Sequence, residues 1–206
     1  VFTSGTSGKP KGVVLTEASL SQTAMNFTLL TRVEAGSSFL CEAPMFHVIG
    51  LVANIRPVLA AGGSIQVSDG FEPARTLRWL SDPRLGISHY VGVPQMMETL
   101  RRQPGFDPVP LRRLTALLSG GATHAVDDIA AWLDDGVTMA SGFGMSEAGT
   151  VFGMPVDAQL IRRKIGSVGV AAPSMQARIV NAAGIDCPLG VPGELWLRGP
   201  SLMHGY

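Results

Sequence analysis

The sequence TSGTSGKPKG at residues 3–12 brings small, hydroxylated and basic side chains into one short segment. It holds three glycines, four hydroxyl side chains and two of the chain's three lysines. Glycines let backbone N–H groups approach a ligand, hydroxyls add donors, and lysine supplies a point charge for a phosphate. Apolar residues on both sides, Val1-Phe2 and Val13-Val14, are typical of strands. The segment predicts a phosphate-binding loop between two strands, and a plain glycine–serine turn is the alternative.

This loop differs from the P-loop of Walker A nucleotide-binding proteins. That pattern, G-x-x-x-x-G-K-[ST], places a second glycine before the lysine and opens a helix at the phosphates. Here Pro10 stands five residues after Gly5, where the second glycine would be, and residues 12–15 predict a strand. The loop therefore indicates a different class of nucleotide site.

Strand and helix patterns alternate along the next 130 residues. Short apolar runs predict strands at residues 38–43, 64–67, 87–91, 114–118 and 137–140. Caps, prolines and 3.6-residue periodicity predict helices at residues 16–32, 48–60 and 73–80, from residue 94, and around residues 126–133. Such alternation is typical of an α/β domain with a largely parallel sheet flanked by helices on both faces.

Glycine-rich turns predicted at Gly120 and Gly142 follow two of these strands. Ligands of parallel sheets bind at the carboxyl ends of strands, so the two turns indicate one shared site. Beyond Gly166 only strands are predicted, at residues 176–180 and 194–198. We therefore predict an α/β subdomain at residues 1–165 and the start of a β-rich subdomain at residues 166–206.

Composition limits the possible partners and location of the chain. Sixteen basic and sixteen acidic residues balance, which gives no reason to expect nucleic-acid or membrane-surface binding. Mean hydropathy is +0.26, but no apolar run reaches the roughly 18–20 residues of a transmembrane helix. Cys41 and Cys187 lack metal-ligand spacing, so we expect reduced thiols and a cytoplasmic location. The chain begins inside a strand pattern and stops soon after another, and we expect an internal fragment whose exposed interfaces drive self-association.

Three further segments have the chemistry of a ligand site. In GFGMSE, residues 142–147, glycines leave open space beside Phe143 for a flat base, and Glu147 is a hard oxygen ligand suited to Mg²⁺. A buried phenylalanine and a helix cap are the alternative. In PMFHVIG, residues 44–50, His47 lies among apolar residues, where a structural histidine is the alternative. Gly121 and Ala122 follow a strand and are also compatible with a simple turn.

Together these segments resemble the adenylate-forming superfamily of acyl-CoA synthetases, luciferases and peptide-synthetase adenylation domains. The matches occur in the order typical of that superfamily and span the chain. Phe143 and Ser146 stand where the superfamily usually has tyrosine and threonine. GELWLRG, residues 193–199, and Gly205-Tyr206 match a structural motif to which we assign no chemistry. The resemblance implies an incomplete acyl-CoA synthetase-like N-terminal domain, closest to bacterial fatty-acid–CoA ligases.

The resemblance also implies which residues form the site. His47, Ser146 and Glu147 would be catalytic, with His47 orienting the carboxylate or gating the acyl tunnel, and Glu147 would bind Mg²⁺. The residues implied for binding ATP or AMP are Thr3, Ser4, Gly5, Thr6, Ser7, Gly8, Lys11, Gly121, Ala122, Gly142, Phe143, Gly144, Met145 and Ser146. The ribose-binding aspartate, hinge residue and catalytic lysine of the superfamily would lie beyond Tyr206.

The implied reaction has two steps. A carboxylate attacks the α-phosphorus of ATP to give an acyl-adenylate and pyrophosphate, and the thiol of CoA then displaces AMP. A medium- or long-chain fatty acid is the expected substrate, with an aryl acid such as a cinnamate as the alternative. We expect the 206-residue chain alone to be inactive. A nucleotide-binding or interaction module without catalysis is the remaining alternative.

Overall fold

The computed structural model describes residues 1–3 and 9–206. Five strands, including three of the central sheet, lie in the first half of the chain: β1 (Phe2–Thr3), β2 (Lys11–Gly12), β3 (Ser38–Cys41), β4 (Ser64–Val67) and β5 (His89–Gly92). The others are β6 (Ala116–Ser119), β7 (Met139–Met145), β8 (Gly149–Gly153), β9 (Val170–Ala171), β10 (Gln176–Val180) and β11 (Glu194–Arg198). Residues 4–8 of the predicted loop lie outside the described residues, and β1 and β2 on either side of them pair antiparallel.

A seven-stranded sheet in the order β4-β3-β5-β6-β7-β8-β9 organises the molecule. The five strands from β4 to β7 in this order are parallel, whereas β8 pairs antiparallel with both β7 and β9. Every residue of β3, β5 and β6 is buried, so both faces of the sheet centre are covered. The predicted α/β class with a largely parallel sheet flanked by helices is confirmed, with an antiparallel edge that the sequence did not predict.

Six α-helices occur among the described residues: α1 (Glu17–Thr31), α2 (Arg56–Ala60), α3 (Pro73–Ser81), α4 (Pro94–Arg101), α5 (Val126–Asp134) and α6 (Ala158–Arg163). A π-helix, Ile49–Ile55, precedes α2, and 3₁₀ turns occur at Pro83–Leu85 and Val109–Arg113. Thr16 caps α1 as predicted, in a reciprocal pair of hydrogen bonds with Ser19 of 3.1 and 3.0 Å. No helix in the described ranges is both long and apolar enough to cross a membrane.

The predicted buried helix at residues 48–60 differs from the structure in two ways. Its first part is a π-helix, in which the Asn54 amide donates to the carbonyl of Ile49 at 2.8 Å. Its last turn is buried only in part: Pro57 and Val58 are buried, whereas Leu59 is 55% exposed and borders an open groove beside α1. Apolar composition alone therefore overestimated burial in this segment.

A buried carboxylate lies one residue beyond β3, inside the segment that the sequence predicted as a plain strand. The hydroxyls of Tyr90 and Thr76 both donate to Glu42 Oε2 at 2.7 Å. Ser68 donates to the other oxygen at 3.3 Å, and the Arg75 guanidinium lies 3.8 Å away. Burial, followed by the nearby Glu42 charge, raises the pKa of the Tyr90 phenol far above its ordinary value, so the phenol remains a donor.

The last forty residues contain a separate two-stranded sheet. The β10 and β11 strands pair antiparallel over five residues each, from Gln176 opposite Arg198 to Val180 opposite Glu194. Before them, β9 adds to the edge of the central sheet. The subdomain boundary near Ile165 stays a prediction. Cys41 is buried and Cys187 is half-buried, and both are free thiols.

Candidate active site

The carboxyl ends of the parallel strands meet around a cavity of about 250 Å³, which we call the front cavity. Its walls come from residues 47–49 after β3, residues 118–121 at the end of β6, and residues 140–146 of β7 and the turn that follows it. Phe27, Leu30 and Phe152 add apolar surface from α1 and β8. A concave, mostly apolar site with a few polar groups is typical of a small-molecule pocket. A cavity therefore lies at the strand ends, where the shared site is predicted.

A second cavity of about 230 Å³, the rear cavity, shares a wall with the first. Residues 121–124 and 166–168 line it, and Gly121 and residues 141–144 border both cavities. Phe143 thus touches both spaces, and the residue is 38% exposed. A flat ring between two cavities can contact a different group on each side.

The glycine-rich segment after Ala140 is a strand and not the turn that the sequence predicted. β7 continues through Met145 and forms a hairpin with β8, with Phe143 opposite Phe152 and a register shift after Phe143. Gly149 has a φ of +66° and packs against Thr23, where a Cβ would lie 2.2 Å from its hydroxyl. Because only glycine fits this position, the hairpin can lie directly against α1.

His47 lies at the front cavity, as the sequence predicted for a residue of the site. Its Nδ1 accepts a hydrogen bond from the Ile49 N–H at 3.2 Å, and the backbone N–H of His47 donates to the carbonyl of Pro44 at 3.0 Å. A neutral imidazole that accepts at Nδ1 bears its proton on Nε2. His47 therefore caps the π-helix and retains one N–H donor that suits a carboxylate.

Gly50 explains why this turn is so tight. A Cβ at this position would lie 2.4 Å from the carbonyl oxygen of Pro44. The chain therefore folds back on itself only because residue 50 has no side chain. This places His47 between β3 and the π-helix, at the edge of the sheet where ligands are expected.

Two buried polar groups beside the cavities have no hydrogen-bond partner in the described part of the chain. They are the hydroxyl of Ser141, which borders both cavities, and Nε2 of His124, which borders the rear cavity. The other ring nitrogen of His124 lies 3.0 Å from the hydroxyl of Ser119. Burial lowers the pKa of the His124 imidazole, which favours its neutral form. Unpaired buried groups at a cavity are available to a ligand.

Glu147 follows β7 and lies beside residues from both ends of the chain. The Tyr206 hydroxyl donates to Glu147 Oε1 at 2.9 Å, and the Lys11 ammonium lies 5.0 Å from the centroid of the same tyrosine ring. Among the described residues, no cluster of three or more histidine, cysteine or acidic side chains is able to hold a metal ion. Mg²⁺ in nucleotide sites often needs only one or two carboxylates besides the phosphates, so Glu147 fits that role.

Besides Glu147, the predicted site residues fall into four groups. Those at the front cavity are His47, Gly121, Gly142, Phe143, Gly144, Met145 and Ser146. Ala122 borders the rear cavity only, while Lys11 and Thr3 pair in the β1–β2 hairpin. Ser4, Gly5, Thr6, Ser7 and Gly8 lie outside the described residues. The individual roles of all these residues stay predictions.

Sequence reasoning missed Ser141, His124 and Tyr206. Ser141 directly precedes the glycine-rich segment, and this adjacency is a signal that could have placed it in the same site. His124 lies two residues after Ala122, but a lone histidine has no pattern that indicates burial. Tyr206 reaches Glu147 across 59 residues of sequence, and no local pattern predicts such a contact.

A family model described as AMP-binding enzyme matches residues 1–206. Among curated proteins, the chain is 32% identical over 206 residues to a feruloyl-CoA synthase from Amycolatopsis sp, covering 100% of this chain and 41% of that protein. It is 33% identical over 212 residues to a 4-coumarate–CoA ligase-like protein from Oryza sativa subsp. japonica, of which it covers 38%. The chain thus spans about two fifths of the length of these relatives.

Among solved structures, the chain superposes on ATP-bound MatB from Rhodopseudomonas palustris with a TM-score of 0.90. The two are 25% identical, and the match covers 100% of this chain and 40% of that one. The central sheet and its surrounding helices are therefore shared with the corresponding part of that structure.

Proposed function

Because the matching model covers all of residues 1–206, the chain belongs to the AMP-binding enzyme family, and we propose that it forms the nucleotide- and acid-binding part of an ATP-dependent acid–CoA ligase. The front cavity is the observation that supports this proposal. It brings the three predicted segments around residues 47, 121 and 143 to one edge of the sheet, although 74 and 22 residues of sequence separate them. The activity belongs to the whole protein, at the length of the relatives.

In the first step, a carboxylate oxygen attacks the α-phosphorus of ATP, and the bond to the β-phosphate oxygen breaks to release pyrophosphate. Both reactants are anionic, so the site must offset their repulsion and fix their geometry. Lys11 and the loop at residues 4–8 would hold the phosphates, and His47 Nε2–H would orient the attacking carboxylate. Glu147 would hold Mg²⁺, which supplies positive charge to the triphosphate when bound.

In the second step, the CoA thiol attacks the acyl carbon of the adenylate, and AMP leaves. The Phe143 ring between the two cavities suits a base on the rear side and an acyl group on the front side. This assignment agrees with the unpaired Nε2 of His124, which is available to the base. A cytoplasmic location, where ATP and CoA are abundant, remains part of the proposal.

We favour a compact aryl acid over a long-chain fatty acid. The relatives named above are described as a feruloyl-CoA synthase and a 4-coumarate–CoA ligase-like protein. Phe27, Phe143 and Phe152 border the front cavity, and aromatic walls suit a planar ring. Its volume of about 250 Å³ lies below the roughly 300–1,000 Å³ of common ligand pockets. The apolar surface from Leu30, Val91 and Met154 keeps a medium- or long-chain fatty acid as the second candidate.

An acid panel on the whole protein tests the proposal. ATP–pyrophosphate exchange would be measured with ferulate, 4-coumarate, octanoate and palmitate, with and without Mg²⁺. We expect exchange with at least one acid and the highest kcat/KM with an aryl acid. Nucleotide binding without exchange for any acid would instead support a non-catalytic module. A preference for palmitate would overturn the aryl assignment while leaving the ligase in place.

The 206-residue chain alone provides a second test. We expect it to bind Mg·ATP weakly in calorimetry, to show no exchange and to self-associate through exposed apolar surface in light scattering. Exchange by the isolated chain would contradict the expectation that essential residues lie elsewhere in the protein. A monodisperse monomer would contradict self-association.

A further inference from the structure

Backbone hydrogen bonds connect residues 203–206 both with the segment that follows β2 and with the turn that bears Glu147. The Met203 N–H donates to the carbonyl of Glu147 at 2.7 Å. On the other side, the His204 N–H donates to the Val14 carbonyl, and the Val14 N–H donates to the Gly205 carbonyl, both at 2.9 Å. These bonds hold the backbone of residues 203–205, which directly precede Tyr206, so the position of Tyr206 follows from the backbone.

The Tyr206 side chain contacts two groups that the proposed reaction needs. Its hydroxyl donates to Glu147 Oε1 at 2.9 Å, and its ring lies 5.0 Å from the Lys11 ammonium. The bond to the carboxylate raises the pKa of the Tyr206 phenol, so the phenol stays a donor at neutral pH. An ammonium within about 6 Å of an aromatic centroid is attracted to the ring face.

Without this ring, the opposite charges of Lys11 and Glu147 would attract each other and favour a direct ion pair. In the described part of the chain, Lys11 forms no ion pair, although the ring that it contacts belongs to the tyrosine whose hydroxyl binds Glu147. A direct ion pair would neutralise the Lys11 ammonium, which is proposed to bind phosphate, and would occupy the Glu147 carboxylate, which is proposed to bind a cation. An aromatic ring with a hydroxyl separates the charges while holding each of them.

We propose that Tyr206 is a positioning residue that sets the spacing between the cation-binding carboxylate of Glu147 and the phosphate-binding ammonium of Lys11. The proposal rests on the function proposed above and assigns a role to a residue that the sequence left without one. Tyr206 contacts no reacting atom and acts only through these two side chains.

Two substitutions in the whole protein separate its two contacts. Tyr206→Phe removes the hydroxyl but keeps the ring beside Lys11, whereas Tyr206→Leu removes both. Leu189→Ala, in a fully exposed turn before β11, is the control for a surface change in the same part of the chain. The measured quantities are the Mg²⁺ concentration for half-maximal ATP affinity in calorimetry, KM for ATP, KM for the acid, and Tm.

We expect Tyr206→Phe to raise the half-saturating Mg²⁺ concentration about 2- to 10-fold, because the variant loses the hydrogen bond to Glu147 and one hydrogen bond corresponds to a factor of about this size. Tyr206→Leu should also raise KM for ATP, and both variants should leave KM for the acid unchanged. A purely structural role would lower Tm and kcat without changing the Mg²⁺ requirement, and that result would overturn the proposal. If no acid supports exchange, the ligase proposal fails, but the calorimetric Mg²⁺ dependence still decides the role of Tyr206.

Discussion

The buried carboxylate of Glu42 makes the stability of the sheet depend on two hydroxyls. Its side chain is fully buried, and Tyr90 and Thr76 both donate to the same oxygen at 2.7 Å. A hydrogen bond to a charged group contributes roughly 1.5–3 kcal/mol. We therefore expect Tyr90→Phe, which preserves the ring packing, to lower the free energy of unfolding by about that amount.

Thr76→Val removes the second donor with little change in shape. The Thr76 hydroxyl lies 2.7 Å from Glu42 Oε2 and 2.8 Å from the carbonyl of Glu72, but its single proton can serve only one of them. With both hydroxyls removed, Oε2 loses its donors and Ser68 remains only at the other oxygen. The double variant should therefore lose more stability than the sum of the single variants, by about 0.5–3 kcal/mol.

Urea unfolding followed by tryptophan fluorescence measures these differences as shifts in midpoint at a shared m-value. Thr99→Val is the matched control, because its hydroxyl donates only to the carbonyl of Gln95 within α4. Tyr90→Phe should also have a smaller effect in an E42Q background, where the acceptor is neutral. The reasoning is refuted if Tyr90→Phe shifts stability no more than Thr99→Val, or equally in both backgrounds.

Three further predictions concern the site and its surroundings. Because the ring of Phe143 borders both cavities, Phe143→Ala in the whole protein should raise KM for ATP and KM for the acid, and Phe143→Leu should raise both less. Unchanged KM values would contradict this prediction. Gly50→Ala should lower the free energy of unfolding by roughly 1–3 kcal/mol, because the new methyl group would overpack against Pro44, and it should also raise KM for the acid. Gly36→Ala is the control for both Tm and KM, since residue 36 has open space around it. Burial lowers the pKa of both His89 and His124, so the unfolded state binds more protons than the folded state. The contribution of these two histidines to the free energy of unfolding should be fully present above about pH 6.5. Below that pH it should fall by about 1.4 kcal/mol per pH unit for each histidine, until the pH passes the pKa of that histidine in the folded state. Urea midpoints at pH 7 and 5.5 measure this fall, and equal midpoints would refute it.

Local chemistry explains which parts of the fold were predictable. Thr16 and Ser19 form a capping box that fixes the start of α1, and the short apolar runs that became β3, β5 and β6 are typical of strands buried on both faces. The π-helix at Ile49–Ile55 was not predictable, because its composition is the same as that of a buried α-helix. β8 was missed because two of its five residues are glycine, which weakens any strand pattern.

The site was predictable in parts, because its segments are local but their assembly is not. Each of the segments around residues 47, 121 and 143 has its own composition signal, and the rule for parallel sheets predicts that they meet. Contacts such as Tyr206 with Glu147 depend on the pairing of Val14, which follows β2, with Gly205, and no spacing rule encodes that pairing. The buried Glu42 was equally hidden, since its donors lie 34 and 48 residues away.

The replacement of the predicted turn by a strand changes how the two cavities are related. Gly142 and Gly144 alternate in sequence with Ser141, Phe143 and Met145 along β7. A Cβ on Gly144 would lie 2.5 Å from the carbonyl of Gly149, and one on Gly142 would lie 3.1 Å from that of Phe152. The strand is therefore a wall about one backbone thick, which allows the front and rear cavities to share it. A turn at Gly142 would have given one opening, whereas this strand gives two spaces with the ring of Phe143 between them, an arrangement that suits the proposed reaction of an acid with a nucleotide.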